Sequence, residues 1–225
     1  MVNDFFARLM AETESERTEL LSIPFIRHGG NGELSLESYL AFLGQAYHHV
    51  KHTTPLLMAC GSRIPHDQEW LRDAMAEYIR EERGHQEWIL NDIKVCGGNP
   101  DKVRRETPGM AAEVMVAYAY HIIERANPVG FLGMVLVLEG TSIRVASTAA
   151  SRLQQNLALP ANAFSYLSSH GALDLSHMDF YRKLVSRLED ESDQAWVIHC
   201  AKRFYRLYGN LFRELPLTLN ALVAA

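Results

Sequence analysis

Three residues in Leu167-Ser-Ser-His-Gly-Ala-Leu-Asp-Leu-Ser-His-Met-Asp-Phe-Tyr181 have the types and spacing of a metal-ligand set: His170, Asp174 and His177, four and three residues apart. At about 3.6 residues per helical turn, they fall within roughly one sixth of the circumference. Two imidazoles and a carboxylate then face one point, a donor set that suits a transition metal with positions open for oxygen chemistry. The stripe Phe164, Leu167, His170, Asp174, His177, Tyr181, Leu184 recurs every three or four residues, so the trio takes places where a core helix carries apolar side chains. Burying them unpaired is costly, and a metal would satisfy all three.

Two other stripes are interrupted in the same way. Leu71, Met75, Tyr78, Glu82, His85 and Ile89 share a helical face, which leaves Glu81, Arg83 and Glu87 to water. Glu-x-x-His on an inward face is the building block of carboxylate-bridged metal sites in bundles, whereas the plain alternative is a pair that is exposed or bonded only to itself. Glu139 ends the apolar run Val129-Gly-Phe-Leu-Gly-Met-Val-Leu-Val-Leu. Burial without a cation would keep it protonated. A metal removes that problem, and an ion pair with Arg144 is the structural alternative. Three carboxylates and three imidazoles, Glu82, His85, Glu139, His170, Asp174 and His177, suit two irons, and no thiolate is among them. His49 and His52 on a preceding helix, and Tyr118 on a later one, are candidates for contacts around the metal or with substrate.

These residues need rigid elements to position them. The 225 residues, 48% of them apolar, suffice for one domain, 1–225, with a substantial core. No alternating strand pattern occurs, and the spacing predicts an all-α bundle of about seven helices. The first spans Asp4 to Leu21, and Gly29 to Gly32 form a loop. The second runs from the Ser35 cap toward Cys60, kinked by Pro55, and the third from His66 to Cys96. Asp101 to Thr107 is a linker. The fourth runs from Pro108 to Ala126 and the fifth from Pro128 to about Asn156. The sixth opens at Pro160 and carries the trio, with Gly171 as a weak point, and the seventh covers Glu189 to Leu215. Leu217 to Ala225 should be loosely held.

The net charge of −5 is interspersed, with no basic block, which argues against nucleic acid as a partner. Cys60, Cys96 and Cys200 lie far apart without paired-ligand spacing, as in a reducing compartment. The N-terminus has no basic leader followed by an apolar core, and the run around Val135 to Leu138 is too short to span a bilayer. A cytoplasmic protein, away from membranes, is expected, and a homodimer through an apolar outer face would be ordinary.

Glu82-x-x-His85, the isolated Glu139 and His170-x-x-x-Asp174-x-x-His177, in that order on a chain of this length, resemble the heme-oxygenase-like diiron oxidases and oxygenases. The resemblance covers roughly Leu34 to Leu215 and implies the heme-oxygenase-like bundle. It also implies two Fe(II)/Fe(III) ions held by those six residues, O2 as co-substrate, and an external reductant, either a protein or a small molecule. The substrate would be a small organic molecule, acyl or amino-acid-derived, and Met110, Met115, Tyr118, Phe131 and Met134 could line its pocket. The same fold hosts other activities. A metal-free hydrolase of the thiaminase II kind would need Cys60 or Cys200 near Glu82 or Glu139. Pyrroloquinoline-quinone synthase works without a metal, and a non-catalytic ligand-binding or regulatory protein would leave the six residues scattered.

Overall fold

Helical periodicity becomes helix throughout the computed structural model. It describes residues 5–220, with the side chains of residues 170–176 excepted. The helices are α1 Phe5–Glu12, α2 Glu14–Ser22, α3 Pro24–Asn31, α4 Leu36–Val50, α5 Thr53–Arg63 and α6 Glu69–Glu82. They continue as α7 His85–Val95, α8 Pro100–Arg105, α9 Met110–Arg125, α10 Leu132–Leu157, α11 Ser165–Val185 and α12 Glu191–Glu214. Among the described residues the only extended pairing is an isolated bridge between Leu34 and Leu219.

Several expected rods are divided, each for a local reason. The first breaks at Thr13, whose buried hydroxyl donates to the Leu9 carbonyl at 2.8 Å. The second breaks at Lys51 and His52, one turn before Pro55. Proline has no N–H to offer the carbonyl four residues earlier, which is that of Lys51. The third divides at Arg83, whose backbone is extended, and Gly84, at φ +98°. Gly29 to Asn31, expected as loop, stay helical, and α3 ends at left-handed Gly32. Five of the seven residues of the expected 101–107 linker belong to α8, capped by Asn99, whose side-chain oxygen accepts from the Lys102 amide at 3.0 Å. The C-terminal segment is held as far as Asn220: Ser35 N–H donates to the Thr218 carbonyl at 2.9 Å, and Asn220 N–H to the Glu33 carbonyl at 2.8 Å.

The long helix α10 is the centre of the bundle, flanked by α11 and α12. With the turn before it, Pro128–Leu157 is long and apolar enough to cross a membrane by length and composition, but 67% of its apolar 18-residue window is buried inside the protein. Its apolar faces are explained by neighbouring helices: Leu136 and Val137 are wholly buried, and each such side chain contributes about 1.5–3 kcal/mol. A Cβ on Gly133 would lie 2.5 Å from the Ala201 amide nitrogen and 2.7 Å from the Val197 carbonyl oxygen. Glycine there lets α10 and α12 meet backbone to backbone. On the other side, the buried Tyr181 hydroxyl of α11 donates to the Leu132 carbonyl at 2.9 Å. That bond fixes α11 against the start of α10, one helical turn from His177.

Candidate metal centre

Glu81 and Glu82 end α6, and His85 begins α7, so the break at Arg83-Gly84 lies inside the Glu-x-x-His motif. Despite the break, the two motif residues stay side by side. Glu82 lies 3.0 Å from His85 (Oε2 to Nδ1) and 4.0 Å from His177 (Oε1 to Nδ1). Glu139, from the middle of α10, reaches within 3.7 Å of the same His177 nitrogen. One ligand atom from each of Glu82, Glu139 and His177 lies within 4.8 Å of the others. His85, Glu139 and His177 are buried and Glu82 nearly so. A concentration of carboxylates this deep, with imidazole nitrogens as neighbours, has the chemistry of a cation site. The donors fit iron: oxygen and imidazole nitrogen from four helices, α6, α7, α10 and α11, without sulfur.

Four of the six expected ligand residues therefore converge. The side chains of the other two, His170 and Asp174, lie outside the described residues; their backbone belongs to α11. Arg144, the alternative partner for Glu139, is placed near Tyr205, whose phenol it draws down against the larger effect of burial.

Glu81 belongs with this group, although the helical pattern assigned it to solvent. Its side chain is 41% exposed, yet Oε2 lies 3.0 Å from His177 Nε2. The missed signal was its spacing: Glu81 comes three residues after Tyr78 and so flanks the stripe on the same side of α6. Tyr78 also faces the cluster. Burial first, then the charges of Glu139, Glu82 and Glu81, together with nearby Tyr181, raise its phenol well above the ordinary value. It remains a neutral hydroxyl.

A buried carboxylate holds one ligand helix in place. Asp92, seven residues after His85 on α7, is fully buried and accepts from Ser165 N–H at 3.0 Å, Tyr166 N–H at 2.9 Å and the Ser165 hydroxyl. These are the first residues of α11, whose own preceding residue, Phe164, supplies no side-chain cap. The helix carrying His177 is thus capped by the helix carrying His85. Burial raises the Asp92 carboxyl, and the hydrogen bonds from Ser165 and Tyr166 pull the other way.

A cavity of about 150 Å³ lies against Glu82 and Glu139. Its walls are mostly apolar, from α3, α4, α5, α10 and α12. Of the pocket residues expected from sequence, Phe131 and Met134 line it; Met115 is core and Met110 is exposed. His49 lines it as well, its ring edge-on to Tyr208 at 5.8 Å. His52 packs instead on Tyr120, and Tyr118 on Phe204, outside the cavity. No cysteine lines it. Burial raises the Cys60 thiol to about 12, and those of Cys96 and Cys200 to about 11.

Comparison with known proteins agrees with this fold. The family model described as "Iron-containing redox enzyme", heme-oxygenase-like, matches residues 40–209. No curated protein matches in sequence. A solved domain of unknown function with a heme oxygenase-like fold, from Shewanella denitrificans, has a TM-score of 0.82 at 20% identity, over 95% of this chain and 92% of its own. A TenA homolog from Pseudomonas syringae has a TM-score of 0.75 at 9% identity, over 93% and 91%. Heme oxygenase-1 from Synechocystis, solved with heme, has a TM-score of 0.70 at 14% identity, over 94% and 91%. With three quarters of its length matched by that model, this chain belongs to the heme-oxygenase-like family of iron-containing redox enzymes.

Proposed function

We propose that this protein is a non-heme diiron oxidoreductase that uses O2 and an external reductant to oxidise a small organic substrate with an apolar body. The observation that carries this reading is the meeting of Glu82, Glu139 and His177, of which the two carboxylates also line the cavity. Glu82, His85, Glu139 and His177 would hold iron together with His170 and Asp174 of the same helix. Bound there, the metal pair would supply O2 reduction and the oxidising power for the substrate.

The rest falls to the chain's own residues. Glu82 faces both His85 and His177, a position between two imidazoles that suits a carboxylate shared by two ions. His177 Nε2 lies 3.0 Å from Glu81 and Nδ1 faces Glu82 and Glu139, so a proton held on Nε2 by Glu81 would leave the Nδ1 lone pair for the metal. A carboxylate on the far nitrogen fixes the tautomer and raises the basicity of a ligating histidine. Tyr78 keeps its proton beside these carboxylates, so the cavity holds an O–H donor next to the reacting region. Apolar walls exclude water from that region, which strengthens the electrostatics within it. A thiaminase-like alternative would need a cysteine in the cavity, and no cysteine lines it.

The reading is tested by O2 uptake with a reductant present, comparing iron-loaded protein, iron-free protein and the iron-treated Glu139→Ala variant. Iron-dependent uptake that Glu139→Ala abolishes is expected. Equal uptake with and without iron would overturn the proposal.

A further inference from the structure

We infer that the last turn of α3, Gly29 to Gly32, is the gate of the cavity: it opens locally to admit the substrate and closes again, with Arg152 of α10 as its latch. This rests on the proposed function only in taking the cavity as the place where the substrate is held.

The wall is thin at that turn. Gly29 and Gly30 both line the cavity, and Gly30, which has no side chain, is partly exposed on its outer side. A single stretch of backbone therefore separates the cavity from water. Glycine supplies three of the four residues, for two different reasons. Gly32 requires it: its φ is +77°, and a Cβ there would lie 2.6 Å from Arg152 Cβ. Gly29 and Gly30 do not, since neither stands at a positive φ. A Cβ on Gly30 would meet nothing within 4 Å, and one on Gly29 would touch only the Leu34 side chain, at 3.3 Å. Backbone angle and packing would accept alanine at both positions. What glycine brings there is a weak helix, because each glycine in place of alanine disfavours the helical turn by about fivefold.

The turn is held from outside and fixed on either side. The Gly30 carbonyl accepts from Arg152 Nη1 at 3.0 Å and the Gly32 carbonyl from Asn156 Nδ2 at 2.9 Å, and Arg152 also reaches Asn31 Oδ1 at 3.4 Å. Arg152 is exposed, so water replaces these partners when the turn opens. Before the turn, Phe25 and Ile26 are buried, with the Phe25 ring 6.0 Å from that of Phe212. After it, Leu34 is buried and bridged to Leu219, and the Glu33 carbonyl accepts from Asn220 N–H at 2.8 Å. A weak segment bounded in this way can open while the bundle stays intact. Arg152 follows Glu139 by about 20 Å along α10, so the opening lies away from the carboxylates. Closure returns the cavity to a water-excluding enclosure before reaction.

The test places a thiol inside the cavity. Ala146 is buried and lines it. The Ala146→Cys chain, or Ala149→Cys if the first does not fold, is labelled with iodoacetamide at pH 8 in the folded state. Cys60, buried outside the cavity, reports global unfolding in the same sample. The introduced thiol is expected to react at least about 100-fold faster than Cys60, at a rate insensitive to urea below the unfolding transition. Adding Gly29→Ala and Gly30→Ala together should slow it by about 20-fold, and adding Arg152→Ala instead should speed it by about fivefold. If the double alanine chain does not fold, Arg152→Ala alone decides. An introduced thiol no faster than Cys60, or one whose rate none of these substitutions alters, would overturn the inference. Iron content of the same preparations bears on the metal reading alone, so either reading can fail without the other.

Discussion

Two breaks between helices, both bordered by histidine, end differently. At the α6–α7 break, Glu81, Glu82 and His85 turn inward and meet Glu139 and His177. At the α4–α5 break, His48, His49 and His52 occupy a stretch denser in imidazole but disperse. His48 lies 3.4 Å from Lys51 Nζ, His49 faces the cavity, and His52 packs on Tyr120. Burial and the Lys51 charge lower both His48 and His52, so neither is a favourable cation at neutral pH. The contrast shows that counting histidines does not identify a metal site. Carboxylates arriving from other helices do, because they supply the charge that offsets a buried cation.

That contrast can be broken experimentally, beginning with its largest expected effect. Glu139→Ala should lower ferrous affinity by more than about 100-fold, read by equilibrium dialysis, whereas His48→Ala and His52→Ala should leave it within about threefold. An equal loss at the two breaks would erase the distinction. Asp92→Ala should destabilise the fold by about 2–4 kcal/mol in urea unfolding, because three donors at the start of α11 lose a buried acceptor. Glu81→Gln keeps the shape but removes the charge behind His177, and should weaken ferrous binding by about tenfold with an unaltered unfolding midpoint.

The smallest effect concerns the thiols. With Cys60 raised to about 12, and Cys96 and Cys200 to about 11, the folded chain holds their protons. Iodoacetamide at pH 8 should leave all three unmodified in the folded protein and alkylate all three in urea. The sign of the linkage follows: the unfolded thiols ionise first, so this contribution to stability is intact below the ordinary value of 9.0 and falls as pH rises from there toward 11–12.

Much of this architecture was legible because helical period and burial coincide. Glu82, His85, Glu139 and His177 stand out as polar residues on apolar stripes, and they are brought to one place. The expected helices occupy the right stretches, since Pro24, Pro100, Pro128, Pro160 and Pro216 punctuate them. What periodicity missed depends on contacts between distant segments. Glu81, three residues after Tyr78 on α6, sits at the edge of the apolar stripe and reaches His177 on α11, a contact between segments far apart in sequence. Asp92 shows no motif, because its partners at Ser165 and Tyr166 lie more than seventy residues away. The cavity was placed partly on α9, but its wall is α10, whose apolar faces serve both the core and the cavity.

The most direct measurement is the iron content of the chain after anaerobic loading with ferrous ion and removal of excess metal. The account predicts about two irons per wild-type chain, with loss of at least one in Glu139→Ala. A wild-type chain that retains no iron, or a Glu139→Ala chain that retains as much as the wild type, would contradict it.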